Sequence, residues 1–197
     1  MQIKIYHTII YYISILRGIN NIYEKRFSNY QNFNNIISDI ISNPVVQEMK
    51  NFRQHYNCSC YDHCYSVSYY SFLICKKFKL DYKSIARAAM LHDLFLYDWR
   101  IKQPGRKGLH AFRHPYVAYK KASALFSLNK KEKDIIIKHM WPVTVIPPKY
   151  LESYIITFVD KYCALKEAYN YYTDKIISKK ILRYASIFLL MLFIHVP

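Results

Sequence analysis

Apolar residues recur at helical spacing along much of this chain. Between Asp62 and Phe78, the residues Val67, Tyr70, Ile74 and Phe78 share one helix face. Asp81 then stands as an N-cap before YKSIARAAMLHD. Within that run Ile85, Ala88, Ala89 and His92 recur at i, i+3, i+4 and i+7, the stripe of a helix buried on one side. His114-Pro115 is expected to open the next helix, with Pro at the favoured first position. Asn129 with Glu132 three residues on resembles a capping box before KKEKDIIIKHM. His139 closes that helix, and Pro142, Pro147 and Pro148 prevent its continuation. A last core helix is expected from about Leu151 to Tyr172. The pattern predicts an all-α fold.

Length and composition agree with it. The 197 residues suit one domain with a sizeable core. Only three Gly and seven Pro occur, too few for a many-turned β-sandwich. Asn43-Pro44 marks a boundary. The chain divides into a helical N-terminal extension (1–44), a central domain (45–172) and a basic, then apolar, tail (173–197). The loop from Arg100 to Arg113 carries Lys102, Arg106, Lys107 and two of the three Gly.

The net charge of +16 favours anionic partners: phosphorylated small molecules, nucleic acid or an anionic membrane. The Lys residues are scattered rather than clustered, which disfavours nucleic-acid binding as the main role. Five Cys is an odd number without a disulfide framework and fits a reduced, cytoplasmic protein. The N-terminal MQIKIYHTIIYYISILRGIN reads as an amphipathic helix, not a signal peptide. The C-terminal ASIFLLMLFIHVP is shorter than the roughly 18 residues of a spanning helix. Lys179, Lys180 and Arg183 precede it, so membrane contact through this tail is an expectation.

The chemistry concentrates around His92-Asp93. An imidazole beside a carboxylate in an apolar segment is costly unless both are satisfied, and a divalent metal satisfies both. His63 and Asp160, on other helices, complete a set of two imidazoles and two carboxylates. Neighbouring helical residues point about 100° apart, so the pair reaches one site only deep between helices. Asp93 has two oxygens and could bridge two ions. His114 and His139, at helix ends, could ligate the second. Mixed nitrogen and oxygen ligands admit manganese, iron, cobalt, nickel, zinc or magnesium. Cys58-x-Cys60-x-x-His63-Cys64 matches no common zinc-finger spacing. His55 is expected near the site entrance, and Asp98 and Trp99 as packing or loop-anchoring residues.

The order H…HD…H…H…D, with the dyad ending an AA-x-LHD helix, resembles the HD-domain metal-dependent phosphohydrolase superfamily over roughly Met49 to Glu167. The more detailed similarity is to an uncharacterised bacterial subgroup, through GLHAFRHP and KHMWPVTVIPP. The resemblance implies an HD-type helical bundle. It implies that His63, His92, Asp93 and Asp160 hold a primary metal, with His114 and His139 serving a second. The implied reaction is hydrolysis of a phosphoester or phosphoanhydride in a small, nucleotide-like substrate. His110 or His139 would protonate the leaving group. Many relatives have HDIGK, but here Leu96 replaces the Lys that can touch phosphate. No GYP signature follows, which argues against a cyclic-di-GMP phosphodiesterase. Phosphate neutralisation then falls to Arg87, Lys107, Arg113, Lys138 or Lys161. The alternative is a non-catalytic module of the same fold, acting as a nucleotide sensor or membrane-associated partner.

Overall fold

The computed structural model describes residues 23–101 and 108–194, except for the side chains of residues 182 and 185–194. His7, Lys107 and His195 lie outside the described residues, as does the whole of the proposed N-terminal amphipathic helix. The fold is all-α, with one small β-hairpin.

Residues 23–41 form α1, and Pro44–Gln47 forms α2. The Asn43 side chain caps α2, whose first residue is Pro44. A 3-10 turn, Glu48–Asn51, leads into the hairpin of β1 (Arg53–His55) and β2 (Cys58–Ser59). The helices α3 (Cys60–Lys77) and α4 (Tyr82–Leu91) follow. Ser59 caps α3 by accepting from the Asp62 amide, and Asp81 caps α4 by accepting from the Ser84 amide. Such caps satisfy amides that a helix start leaves without partners.

The remaining helices are α5 (His110–Leu125), α6 (Lys130–Lys138) and α7 (Leu151–Ile194). The capping box of Asn129 and Glu132 forms as the spacing predicts. Two boundaries differ from expectation. Helix α5 begins a turn earlier, at His110, and therefore contains Pro115 in its interior. The extra turn is held where the His110 ring stacks between Trp99 and His114. Helix α7 runs without a break across the expected boundary at 172.

Helices α3 and α4 form the most extensive pairing; α7 packs on α3 and α6, while α6 also packs on α4 and α5. The buried face predicted for α4 is confirmed, with Ile85, Ala88, Ala89 and His92 all fully enclosed. Helix α1 is integral to the core: buried Phe33 meets the rings of Tyr65, Tyr69 and Phe72. All five Cys are free thiols. Among the described residues no helix is long and apolar enough to cross a membrane.

Candidate metal centre

Five helices deliver one cluster. His63 comes from α3, His114 from α5 and Asp160 from α7. His92 and His139 are the C-caps of α4 and α6, and Asp93 follows His92. The four histidines and Asp93 are buried.

Local hydrogen bonds fix how three of the histidines face. His92 Nδ1 lies 2.7 Å from the Ala89 carbonyl, His114 Nδ1 2.9 Å from that of His110, and His139 Nδ1 2.8 Å from that of Ile136. A carbonyl only accepts, so each Nδ1 carries the proton. In the neutral ring, each Nε2 then presents a bare lone pair. This arrangement is typical of imidazoles held ready for a metal.

The carboxylate of Asp93 stands between these lone pairs. Its Oδ1 is 3.2 Å from His114 Nε2 and 3.6 Å from His139 Nε2. Its Oδ2 is 3.5 Å from His92 Nε2 and accepts a 2.5 Å hydrogen bond from Gln54 Nε2. On the other side Asp160 Oδ1 lies 3.0 Å from His63 Nε2 and 3.7 Å from His92 Nε2. The remaining nitrogen of His63, Nδ1, lies 2.9 Å from Glu167 Oε1. Two sets thus share Asp93: His63, His92 and Asp160 on one side, His114 and His139 on the other.

Two observations test whether this set suits a cation. His92 Nε2 and Asp93 Oδ1 are buried without a hydrogen-bond partner, although buried polar atoms are normally paired. In addition, His114 Nε2 and His139 Nε2 approach to 2.8 Å. With both Nδ1 protons given to carbonyls, two lone pairs at that distance repel unless a proton or a cation stands between them. Metal–nitrogen bonds of about 2.0–2.1 Å bring neighbouring ligand atoms to similar separations. The donor set fits divalent metal, and the described residues contain buried His/Asp groups that could hold it.

Electrostatics agree. Burial opposes charge on Asp93, but the surrounding His92, His114 and His139 outweigh it and hold its carboxyl far below the usual range. Burial is likewise outweighed at Asp160, where the hydrogen bond with His63 and the nearby His92 ring hold the carboxyl well below its usual range. Burial, followed by the neighbouring His114 and His92, pushes the His139 pKa down to about 3. His139 is therefore uncharged near neutral pH, with its one proton committed to the Ile136 carbonyl, and it has none to give to the leaving group expected of it.

A cavity of about 320 Å³ opens over Asp93, His114, His139 and Asp160. Trp99, His110 and Lys161 stand in its wall, and His55 reaches it from the hairpin. Trp99 stacks on His110 and donates its indole N–H to the Gln54 carbonyl, so it does anchor the loop. Asp98 accepts from the Arg100 guanidinium, two residues on.

The cationic residues expected at phosphate divide differently. Lys161 lines the cavity. Arg87 does not: its guanidinium is 2.6 Å from Asp39 and 3.3 Å from Glu132, tying α4 to α1 and α6. Lys138 is also committed elsewhere, to Asp134 at 2.8 Å and the Pro147 carbonyl at 2.9 Å. Arg113 is exposed beside Gly108 and is not part of the cavity wall.

Two site residues escaped the sequence reading. Glu167 lies seven residues after Asp160, on the same face of α7, and that spacing could have revealed it. Gln54 sits on a three-residue strand, where no periodicity points to it. The Cys cluster contributes packing: Cys60 Sγ donates to the Asp93 carbonyl and Cys64 Sγ lies 3.6 Å from His92 Nδ1. No family model, curated protein or solved structure matches the chain.

Proposed function

We propose that the chain is a metal-dependent phosphohydrolase of the HD-domain kind, acting on a nucleotide or other small phosphorylated metabolite. The observation that carries this reading is the placement of Asp93. Its two buried oxygens face two separate sets of histidine Nε2 atoms beneath a substrate-sized cavity. His63, His92, Asp93 and Asp160 would hold one divalent ion, and Asp93, His114 and His139 a second. Bound there, divalent metal supplies a water of lowered pKa and positive charge for phosphoryl oxygens.

The chain's own groups do the rest. Glu167 orients His63, and Gln54 orients Asp93. Lys161 presents an ammonium group to the cavity, suited to a phosphoryl oxygen. Its Nζ is held at 3.2 Å from the Thr157 carbonyl. His110 stands in the wall with Nδ1 3.2 Å from the Tyr97 hydroxyl, placed to protonate a leaving oxygen. Trp99, Ala111, Met140 and Ala164 supply the apolar part of the wall, which limits competing water around the substrate.

The test is metal analysis of the purified full chain, followed by reloading with manganese, iron, cobalt, nickel, zinc or magnesium. Each form is then assayed on a panel of nucleotides and simple phosphoesters. Turnover that disappears with chelator and in His110→Ala, with metal content retained in the latter, supports the assignment. Metal-loaded protein that binds nucleotides and hydrolyses none of the panel would move the reading to a sensor module.

A further inference from the structure

Helix α7 continues well past the metal centre, and its outward side is apolar. Phe158, Tyr162, Leu165, Tyr169, Tyr172 and Ile176 follow one another at steps of four and three residues. At that spacing they form one stripe, spanning about 27 Å along the helix. All six are exposed, Leu165 and Tyr169 at 71% each. The stripe lies opposite the face that turns Asp160 and Glu167 toward His63. Farther along, every residue from Asp174 to Ile181 is exposed. A helix segment rich in β-branched Ile is poorly stable when solvated on all sides. Its apolar side therefore calls for a partner.

Charge identifies the partner. Lys161, Lys166 and Lys175 flank the stripe, and Lys179 and Lys180 follow it. If two copies paired along the stripe in parallel, Lys161 would face Lys166 of the other copy, and Lys175 would face Lys180. Antiparallel pairing sets these positions against their own equivalents. Both arrangements place Lys against Lys, and like-charge flanks disfavour such pairing. The sequence also loses its one-sided pattern farther on: Ala185 to Ile194 has no charged residue.

We infer that the outward face of α7 docks on an anionic membrane surface, with the helix lying in the plane of the bilayer. The aromatic and aliphatic stripe enters the headgroup boundary, and the stems of Lys166, Lys175, Lys179 and Lys180 reach anionic headgroups. The uncharged end enters more deeply. This inference is independent of the hydrolase reading, because no stripe residue lines the cavity.

The experiment is flotation of the full chain with vesicles of two parts phosphatidylcholine to one part phosphatidylserine, and with phosphatidylcholine alone. Strong flotation with the mixed vesicles and weak flotation with the neutral ones is expected. Lys179→Gln/Lys180→Gln should weaken partitioning by roughly twenty- to thirtyfold, at about fivefold per cation. Leu165→Glu/Tyr169→Glu should abolish flotation while metal content and thermal unfolding stay unchanged. Unaltered flotation in that double variant would overturn docking through the stripe. So would a dimer in light scattering that the variant dissolves, if the parent fails to float. An acidic protein partner would likewise leave the vesicles unbound and refute the inference.

Discussion

Asp93→Asn tests the two-ion arrangement most directly. The wild-type carboxylate is 2% exposed and is shared between both histidine sets. The His114–His139 set contains no other carboxylate, whereas the His63–His92 set keeps Asp160. Loss of the charge leaves two neutral imidazoles and an amide on the first of these sides. Removing one partner of a buried charge pair costs about 3–5 kcal/mol, or roughly two to four orders of magnitude in affinity. His114→Ala removes a lone pair from the same side and leaves Asp93 to its other partners. Metal content after dialysis, with calorimetric titration on reloading, should give two equivalents for the parent and one for His114→Ala. Asp93→Asn should lose the second ion entirely and bind the first far more weakly, with helical content kept. Two equivalents of unchanged affinity in Asp93→Asn, or joint loss of both ions in His114→Ala, would refute a shared carboxylate.

Three further outcomes are expected. In the metal-free protein, burial opposes charge on His63 and His92, but their carboxylate neighbours outweigh it and raise both pKa values above the ordinary imidazole range. The stability these protons confer is complete below about pH 6.5 and is lost as pH rises through the raised values. Metal-free protein should therefore lose stability toward pH 8 in thermal melts, while metal affinity rises because ligation displaces those protons; a flat profile for both would contradict the protonated pair. Glu167→Leu or Gln54→Leu should weaken metal binding by roughly 10–100-fold, since each removes a partner that orients a ligand, and unaltered affinity in both would deny them that role. Phe33→Ala, at a fully enclosed ring, should cost about 3–5 kcal/mol in denaturant unfolding; a change under about 1 kcal/mol would mean that α1 folds apart from the bundle.

The sequence made the helices legible wherever local chemistry decides them. Asp81 and the Asn129–Glu132 pair cap helices because their side chains reach amides within the next few residues. All six proposed ligands converge in one buried cluster, since His and Asp on apolar faces have few other ways to be satisfied. What was not legible depends on distant partners. Arg87 and Lys138 were plausible phosphate ligands until Asp39, Glu132 and Asp134 were seen to occupy them. The start of α5 depends on Trp99, which is eleven residues away from His110 in the chain and stacked on it in space. The hairpin that positions Gln54 is too short to leave a period-two pattern.

The dyad also resolves a geometric difficulty. On a continuing helix His92 and Asp93 would diverge by about 100°, and only one could face the centre squarely. Helix α4 ends at Leu91, so His92 is its cap and Asp93 lies in the turn beyond. That turn lets Asp93 present one oxygen to His92 and the other to His114 and His139. The chain then passes through Leu96 at φ 49°, a left-handed conformation that a branched side chain rarely adopts. Packing of Leu96 against the main core offsets its cost. Trp99, three residues on, stands in the cavity wall.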